Sequence, residues 1–387
     1  MRAAALSLPI ALLAALPAPA ADVDPLASET VAVADVAGPL SADPSAPFWD
    51  GIPALDVLAG PQRTLHLADA KANQALASAA PLTVKVRAAT DGKHLAVLLD
   101  WPDATEDRAR DGTDTYGDGV ALQLPQRFGA GQRLPYVGMG DPAQPVVLHL
   151  QRAGPDAAQP ILRSAVAAGF GSTTRADAGD VRSGMRWTGG RWRAVFLRPL
   201  SAPGVDLAKG LVPFAVAVWD GARSERGGNK ALSGWKLLRL ARFPADTAYA
   251  AELSVGRRPE DRGDLARGRQ LVQSMCTGCH LLPDRRVARP GIAPDLSEIG
   301  VIATPAYVRE SIVAPSAIVV PSPNPAQHQE RSKPVASTAA WPRADAFGWS
   351  RVDASGKVVS KMPAYASLPP ADLDAMVTYL MTLGRAP

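Results

Sequence analysis

Cys276-Thr277-Gly278-Cys279-His280 contains both cysteines of the 387-residue chain. Two cysteines separated by two residues and followed by a histidine form the C-x-x-C-H pattern of c-type haem attachment. In this pattern the two thiols add to the haem vinyl groups as thioethers, and the histidine becomes an axial ligand of the iron. A structural zinc site needs four ligands, and a thioredoxin-like dithiol needs a βαβ context, so both alternatives fit less well. The stretch therefore predicts covalently bound haem c and electron transfer.

The sequence around this motif has helical periodicity. Residues 265–275 lead into the motif as one helix, and Thr304-Pro305 is the N-cap and first-turn pair that opens a second helix over 306–313. The last helix places four apolar side chains on one face, with Asp372 in its first turn and Gly384 closing it. The four are Leu373, Met376, Val377 and Leu380. These helices predict an all-α C-terminal domain.

This C-terminal stretch resembles the class I cytochrome c family. The resemblance implies close packing of Gly268 against the last helix, a Pro294-Asp295-Leu296 segment beside His280, and Met362 as the sixth iron ligand. Histidine and methionine together would fill both axial positions, which favours electron transfer over oxygen chemistry. The alternative sixth ligand is His328, which lies in a proline-rich loop that departs from the family pattern.

The region before the motif is rich in predicted strands. Residues 83–88 alternate in polarity, turn at Asp91-Gly92 and return over 94–99, which is a hairpin pattern. A second hairpin turns at Gly189-Gly190, and further strands are predicted over 119–124, 145–151, 213–219 and 234–240. Short strands with turn residues between them predict an antiparallel β-sandwich.

Four segments divide the chain. Residues 1–20 have the charged start, apolar run and small-residue cleavage pattern of a signal peptide, and the run is shorter than a membrane-spanning helix requires. Residues 21–255 form the predicted sandwich, 256–264 a charged linker, and 265–387 the haem c domain. The predicted location is the periplasm, with no transmembrane segment after signal cleavage.

Composition excludes one class of function. The formal net charge is +4 and aromatic residues make up 5% of the chain. Nucleic-acid binding needs a concentrated basic patch interleaved with aromatic side chains, so we expect no nucleic-acid partner.

The predicted sandwich resembles the haem-binding γ subunits of ethylbenzene dehydrogenase, dimethylsulfide dehydrogenase and chlorate reductase. Five segments carry the resemblance: Phe48-Trp49-Asp50, residues 99–103, Val137-Gly138-Met139-Gly140, Val218-Trp219-Asp220-Gly221 and residues 225–235. In that family the sandwich holds a non-covalent haem b between a methionine and a lysine. The resemblance implies Met139 and Lys230 as these ligands, with Lys236 as the competing lysine. His66, His94 and His149 occur singly and are predicted to be hydrogen-bonded or solvated side chains.

Together the two resemblances imply a periplasmic dihaem electron-transfer subunit, not itself an enzyme. Haem b would exchange electrons with the iron–sulfur subunit of a molybdenum enzyme, whose catalytic subunit is the second partner. Haem c would exchange electrons with a soluble cytochrome c or the respiratory chain. Two alternatives stay open from the residues: a haem enzyme whose sandwich binds a substrate, and a monohaem cytochrome c fused to a substrate- or partner-binding sandwich.

Overall fold

The computed structural model describes residues 24–62, 74–76, 78–108, 115–156, 160–169, 172–176, 179–283, 293–319 and 350–385. Fifteen strands form the N-terminal region of this described part. They are β1 (Thr30–Asp35), β2 (Leu55–Pro61), β3 (Leu82–Thr90), β4 (His94–Pro102), β5 (Gly119–Pro125), β6 (Val146–Arg152), β7 (Ile161–Ala167), β8 (Thr174–Arg175), β9 (Arg182–Thr188), β10 (Arg191–Pro199), β11 (Ser201–Ala202), β12 (Val205–Asp206), β13 (Leu211–Trp219), β14 (Ala231–Ser233) and β15 (Lys236–Leu240). Both predicted hairpins are confirmed, as β3–β4 and β9–β10.

Eleven of these strands form one continuous ladder in the order β8-β7-β6-β5-β13-β14-β2-β3-β4-β10-β9, to which β1 and β15 pair from the side, while β11 and β12 form a separate pair. Strand β13 pairs with β14 at one end and with β15 at the other, and β3 likewise pairs with both β2 and β1. Strands that change partners in this way let the ladder fold over itself into two packed layers. The predicted sandwich is confirmed, with one difference: β1 pairs in parallel with β15 and β3.

Strands β5 and β13 are buried along their whole length. One face of each contributes to the inner core between the layers, where Leu122, Phe214 and Val216 pack with Trp101 and Trp192. The other face belongs to a separate group, which we call the junction cluster. Its buried members are Ala121, Val137, Val146, Ala167, Ala215, Ala217, Trp219, Leu232, Trp235 and Ile302. Strands buried on both faces indicate that further structure covers the sheet here.

The helices are α1 (Thr247–Ser254), α2 (Leu265–Met275), α3 (Ile299–Ile302), α4 (Pro305–Val313) and α5 (Pro370–Leu380). Short 3-10 helices span Ala27–Glu29, Pro47–Trp49 and Pro259–Asp261. The sequence did not predict α1, because this helix lies within the region that was expected to contain only strands. Asp246 is the N-cap of α1, and its carboxylate accepts a hydrogen bond from the Tyr249 N–H at 3.0 Å. A hairpin of β16 (Ser350–Val352) and β17 (Val358–Ser360) also makes the C-terminal domain not strictly all-α. Among the described residues, no helix reaches the length and apolarity that crossing a bilayer requires.

Helices α2 and α5 cross in close contact at Gly268. A Cβ atom at this position would lie 1.9 Å from the Ala375 carbonyl oxygen, so only glycine fits. The close packing of Gly268 against the last helix is therefore confirmed. This crossing forms one side of a helical core that includes Leu271, Cys276 and Met376.

Ion pairs tie the predicted linker to the sheet. Buried Glu29 pairs with Lys236 in β15 and with Arg257, whose Nη1 lies 2.9 Å from the carboxylate. Near the end of the chain, the Arg385 guanidinium donates to the Gly300 carbonyl at 2.8 Å. Arg257, within the predicted linker, is thus paired with Glu29, and the position of the domain boundary itself stays a prediction.

Candidate haem sites

The attachment motif forms a tight turn at the end of α2. Cys276 is the C-cap of α2, and its N–H donates to the Val272 carbonyl at 2.9 Å. Its own carbonyl accepts from the N–H groups of Cys279 (3.1 Å) and His280 (2.9 Å). Both thiols are free, Cys276 buried and Cys279 exposed. The turn therefore gathers two thiols and one imidazole at a single position.

His280 is oriented by a backbone carbonyl. Its Nδ1 lies 2.8 Å from the Pro294 oxygen, and because a carbonyl can only accept, the imidazole proton is on Nδ1. The lone pair of Nε2 is then free to bind a metal, as in metal-ligating histidines whose second nitrogen donates to a carbonyl. Burial lowers the pKa of His280, so the ring is neutral as ligation requires.

Met362 lies in the segment that faces this motif. Its side chain packs against the same helical core as Cys276, and its N–H donates to the Ser360 Oγ at 3.1 Å. Three residues later, burial and the neighbouring thiols of Cys276 and Cys279 raise the pKa of Tyr365. The loop that carries Met362 is thus beside the attachment site. His328 and His66 lie outside the described residues.

These groups fit a covalent haem. Two free thiols, a neutral imidazole with a free Nε2 and a thioether on the same core are the donor set of a six-coordinate c-type iron. Burial raises the pKa of Cys276 to about 11, so this cysteine is a neutral thiol before attachment.

Met139 lies in a strained turn against the junction cluster. Its φ of 74° is in the left-handed region, which is uncommon for a residue with a side chain. The turn is closed by the Gly140 N–H, which donates to the Tyr136 carbonyl at 2.8 Å. Strain of roughly 1–3 kcal/mol is found most often at functional sites, where the surrounding structure maintains it. The side chain is partly buried beside Leu148 and Leu150.

Lys230 is buried at the edge of the same cluster. It is 4% exposed, and within the described part of the chain its Nζ has neither a hydrogen bond nor an ion pair. The Nζ lies 5.3 Å from the ring centroid of Trp219, a member of the junction cluster. Burial lowers the pKa of Lys230 to about 8, which moves the amine towards the neutral form that can bind iron.

Two buried amides next to Lys230 have no hydrogen-bond partners among the described residues. The side chain of Gln62 is fully buried and that of Asn229 is 1% exposed, and neither side chain is hydrogen-bonded to a residue that the structure describes. The pairs Gly60–Leu232 and Pro61–Ala231 place Gln62 directly opposite Lys230, and the Gln62 N–H donates to the Lys230 carbonyl at 2.9 Å. Directly opposite residues share a face of the sheet. Buried amides without partners are rare and indicate a missing ligand or water.

The residues on this face fit a non-covalent haem. A thioether is a soft ligand, a buried lysine can supply a neutral amine, and the unpartnered amides offer hydrogen bonds to a polar edge. The structure places Met139 and Lys230 next to one hydrophobic cluster, and their role as haem b ligands stays a prediction.

The competing ligands are already bound elsewhere. The Lys236 amine is hydrogen-bonded to the Glu29 carboxylate. His94 Nδ1 lies 3.0 Å from Asp91, and buried His149 contacts Ser164 and Arg198. Burial, and then Arg198, lower the pKa of His149 to about 3.

Two carboxylates from the resembling segments, Asp103 and Asp220, meet the carboxylate of Asp118 at one end of the sheet. Oxygen atoms of Asp103, Asp118 and Asp220 lie within 4.8 Å of one another. Asp118 accepts from two backbone N–H groups and from the Trp192 indole, each at 2.8 Å. Burial raises the pKa of Asp103 to about 7 and of Asp118 to about 6. These bonds tie together the segments that follow β4, precede β5 and follow β13, which is a structural role.

Known proteins match both parts of the chain. Residues 161–231 match the ethylbenzene dehydrogenase family, and residues 265–384 match the cytochrome c family. The chain is 32% identical over 222 residues to the chlorate reductase subunit gamma of Ideonella dechloratans, covering 56% of this chain and 87% of that protein. This chain belongs to the chlorate reductase γ-subunit family. It is also 28% identical over 215 residues to a respiratory nitrate reductase heme subunit of Haloferax mediterranei, with 54% of this chain and 72% of that protein covered.

Among solved structures, the γ-type region aligns with a carbohydrate binding module of family 9 from Caldicellulosiruptor kristjanssonii in complex with cellotriose. The identity is 11%, the TM-score 0.32, and 57% of this chain and 96% of that chain are covered. The cytochrome domain of Myriococcum thermophilum cellobiose dehydrogenase aligns at 13% identity and a TM-score of 0.25, covering 55% and 94%. At these scores neither alignment adds to the argument.

The comparisons confirm the two resemblances. The chain combines a region related to the γ subunit of chlorate reductase with a C-terminal region of the cytochrome c family. The ethylbenzene dehydrogenase match includes Lys230 and Asn229 but ends before Lys236. Sequence reasoning missed Gln62, because its position opposite Lys230 follows from strand pairing that no local pattern shows.

Proposed function

We propose that this protein is a periplasmic dihaem electron-transfer subunit of a molybdenum oxidoreductase complex. Haem c is attached through Cys276 and Cys279 with His280 and Met362 as axial ligands, and haem b is held between Met139 and Lys230. The observation that carries the proposal is the orientation of His280. Its Nδ1 is bound to Pro294 and its Nε2 is left for iron, beside two free thiols in a matched cytochrome c domain.

The partners follow from the relatives. One is named as the γ subunit of chlorate reductase and the other as the heme subunit of a respiratory nitrate reductase, so each belongs to a larger enzyme. We propose that this chain likewise assembles with a catalytic molybdenum subunit and an iron–sulfur subunit. The iron–sulfur subunit would exchange electrons with the γ-type region, and the cytochrome c domain with a soluble cytochrome or the respiratory chain.

The proposed ligands would leave neither iron with a free coordination position for a substrate. When bound, each haem would supply a one-electron couple at its iron. His280 and Met362 would both hold the iron of haem c, which would leave oxygen without a coordination site there. The Pro294 carbonyl holds the imidazole proton at Nδ1, and burial lowers the pKa of Lys230 to about 8, so that its amine loses its proton more easily than an exposed lysine does. Thioether ligation also raises the reduction potential of a c-type haem, which suits a carrier in an oxidising chain.

A count of haem types in the purified protein tests this proposal. Pyridine haemochrome spectra of protein made with a c-type maturation system and added haem should report equal amounts of b and c haem. Lys230→Leu should lose the b signal and keep the c signal. Lys236→Leu is the matched control, because its amine is bound to Glu29, and it should keep both.

Two outcomes would overturn the proposal. A wild-type protein with c haem only would contradict the haem b site and leave a monohaem cytochrome fused to a binding domain. Loss of the b signal in Lys236→Leu but not in Lys230→Leu would contradict the ligand assignment. Co-purification from the native host, with molybdenum and iron counted in the complex, tests the partners separately.

A further inference from the structure

The cytochrome c domain packs directly on the face of the sheet that carries the proposed haem b ligands. Ile302 of α3 is buried within the junction cluster, beside Leu232 and Trp235. The Gly234 N–H donates to the Val301 carbonyl at 2.9 Å, which joins the two domains through the backbone. The backbone of Gly60 in β2 is also close to α3, because a Cβ atom added to Gly60 would lie 3.4 Å from the Val301 side chain. The two haem-bearing parts of the chain are therefore in fixed contact at this face.

Two tyrosines meet across this contact. The ring centroids of Tyr136 and Tyr307 are 5.5 Å apart and their planes are inclined by 43°. Aromatic pairs at this separation attract one another through their ring quadrupoles. A cavity beside them is lined by Val137 and Trp235 on one side and by Ile302 on the other.

Each of the two tyrosines lies close to the ligands of a different proposed haem. Tyr136 begins the turn that carries Met139, because its carbonyl accepts from the Gly140 N–H. The Trp235 indole donates to the Pro135 carbonyl at 2.8 Å and fixes this turn to the sheet. Tyr307 packs into the helical core that holds Cys276 and Met362. The turn that carries Met139 and the helical core that holds Met362 are thus connected through one contact between aromatic rings.

We propose that the Tyr136–Tyr307 contact is the route by which electrons pass between haem b and haem c inside one chain. The inference rests on the proposed function, since it needs both haems. One electron leaves the ferrous iron of one haem, which becomes ferric, and reduces the ferric iron of the other, with no other reactant. Electron tunnelling falls steeply with distance through protein, so closely packed rings make this junction a better conductor than a water-filled gap.

The rings act as packed, neutral groups. Burial raises the pKa of Tyr307 above its ordinary value, so the phenol stays protonated. A tyrosine that conducts only through its ring can be replaced by phenylalanine without loss. Replacement by leucine removes the aromatic contact and leaves an apolar side chain of smaller extent.

The test measures electron exchange between the haems in the full-length dihaem protein. A ruthenium photosensitiser attached to the surface injects an electron into haem c, and the relaxation between the c and b absorption bands is followed after the flash. The variants are Tyr136→Phe, Tyr307→Phe, Tyr136→Leu and Tyr307→Leu. Tyr116→Leu, which removes a ring that packs on Arg226 outside the junction cluster, is the matched control.

Phenylalanine variants and Tyr116→Leu should relax at the wild-type rate, whereas the two leucine variants at the junction should relax severalfold more slowly. The reduction potentials of both haems should stay unchanged in all variants, which separates a lost path from a changed driving force. Equal rates in wild type and both leucine variants, with both haems present, would overturn the inference alone. Absence of a b-type band in the wild type would instead refute the proposed function, and the inference with it.

Discussion

Gln62 follows the last residue of β2 and Lys230 precedes the first residue of β14, and a hydrogen bond from the Gln62 N–H to the Lys230 carbonyl at 2.9 Å joins the two residues. Their side chains share one face of the sheet, and both polar atoms of the Gln62 amide are buried without a hydrogen-bond partner in the described part of the chain. A buried polar group in this state costs about 1–3 kcal/mol of stability. The cost disappears once a ligand on this face accepts or donates the missing hydrogen bonds.

Gln62→Leu should separate folding from haem binding. Without haem b, the variant should be more stable than the wild type by about 1–3 kcal/mol, because an unpartnered amide is replaced by an apolar group of similar shape. With haem b, the variant should retain less of it, because the haem or its lysine ligand loses a hydrogen-bonding partner. Denaturant unfolding of the b-free protein and the ratio of b to c haem after gel filtration measure the two effects. A variant that keeps its full b content would contradict the role of Gln62.

Replacing Met362 should change only the c-type spectrum. Met362→Leu conserves volume, so its effect on stability should stay below about 1.5 kcal/mol. Loss of the thioether should abolish the methionine–iron charge-transfer band and lower the haem c potential, because methionine ligation raises it. Met381→Leu is the matched control, since Met381 packs on the same helical core, and it should keep the band. Persistence of the band in Met362→Leu would assign the sixth ligand elsewhere.

Local patterns were sufficient to predict the helices around the attachment motif. The predicted helix over 265–275 is observed at Leu265–Met275, and Thr304 caps α4 by accepting from the Tyr307 N–H at 3.2 Å. Capping and helical periodicity depend on residues three or four apart, which a sequence shows directly. The strands of the two hairpins were predictable for the same reason, because their turns are short.

Long-range pairing was not predictable in this way. The parallel pairing of β1 with β15 joins Thr30 to Leu237, about half the chain apart in sequence. The position of Gln62 opposite Lys230 depends on the pairing of β2 with β14, and the contact of Tyr136 with Tyr307 depends on how the domains dock. Helix α1 was missed because it is short and only weakly amphipathic, so its capping residue Asp246 was its clearest signal.

The pairing of Glu29 predicts how stability depends on pH. Burial alone would raise the pKa of Glu29, but Lys236 and Arg257, with Arg385 beyond them, lower it below its ordinary value of 4.5. A lowered folded-state pKa adds stability that is present above pH 4.5 and is lost as the pH falls through the lower folded value. Glu29→Gln leaves two partly buried cations without their carboxylate, which costs about 3–5 kcal/mol at neutral pH.

The difference in unfolding free energy between wild type and Glu29→Gln should therefore shrink as the pH falls below 4.5. Denaturant unfolding from pH 3 to pH 7 measures it. Glu260→Gln, at an exposed position in the 3-10 helix after Arg257, is the control and should show a small difference throughout. A Glu29→Gln difference that does not change with pH would contradict the ion-pair account.

Gly268 and Gly278 offer a matched pair of tests for the cytochrome fold. A Cβ at Gly268 would lie 1.9 Å from the Ala375 carbonyl oxygen, and the backbone of α5 can yield only if the two helices separate. Gly268→Ala should therefore destabilise the domain at the upper end of the roughly 1–3 kcal/mol typical of overpacking, although alanine is the better helix former. A Cβ at Gly278 meets nothing within 4 Å, so Gly278→Ala should change stability by no more than about 0.5 kcal/mol. Guanidinium unfolding of the haem-loaded protein, followed at the Soret band, measures both.

The crossing of α2 and α5 also fixes the position of the attachment turn at the end of α2. Gly268→Ala should therefore reduce the yield of covalently attached haem as well. Equal yields for Gly268→Ala and Gly278→Ala would show that the attachment turn forms without the crossing.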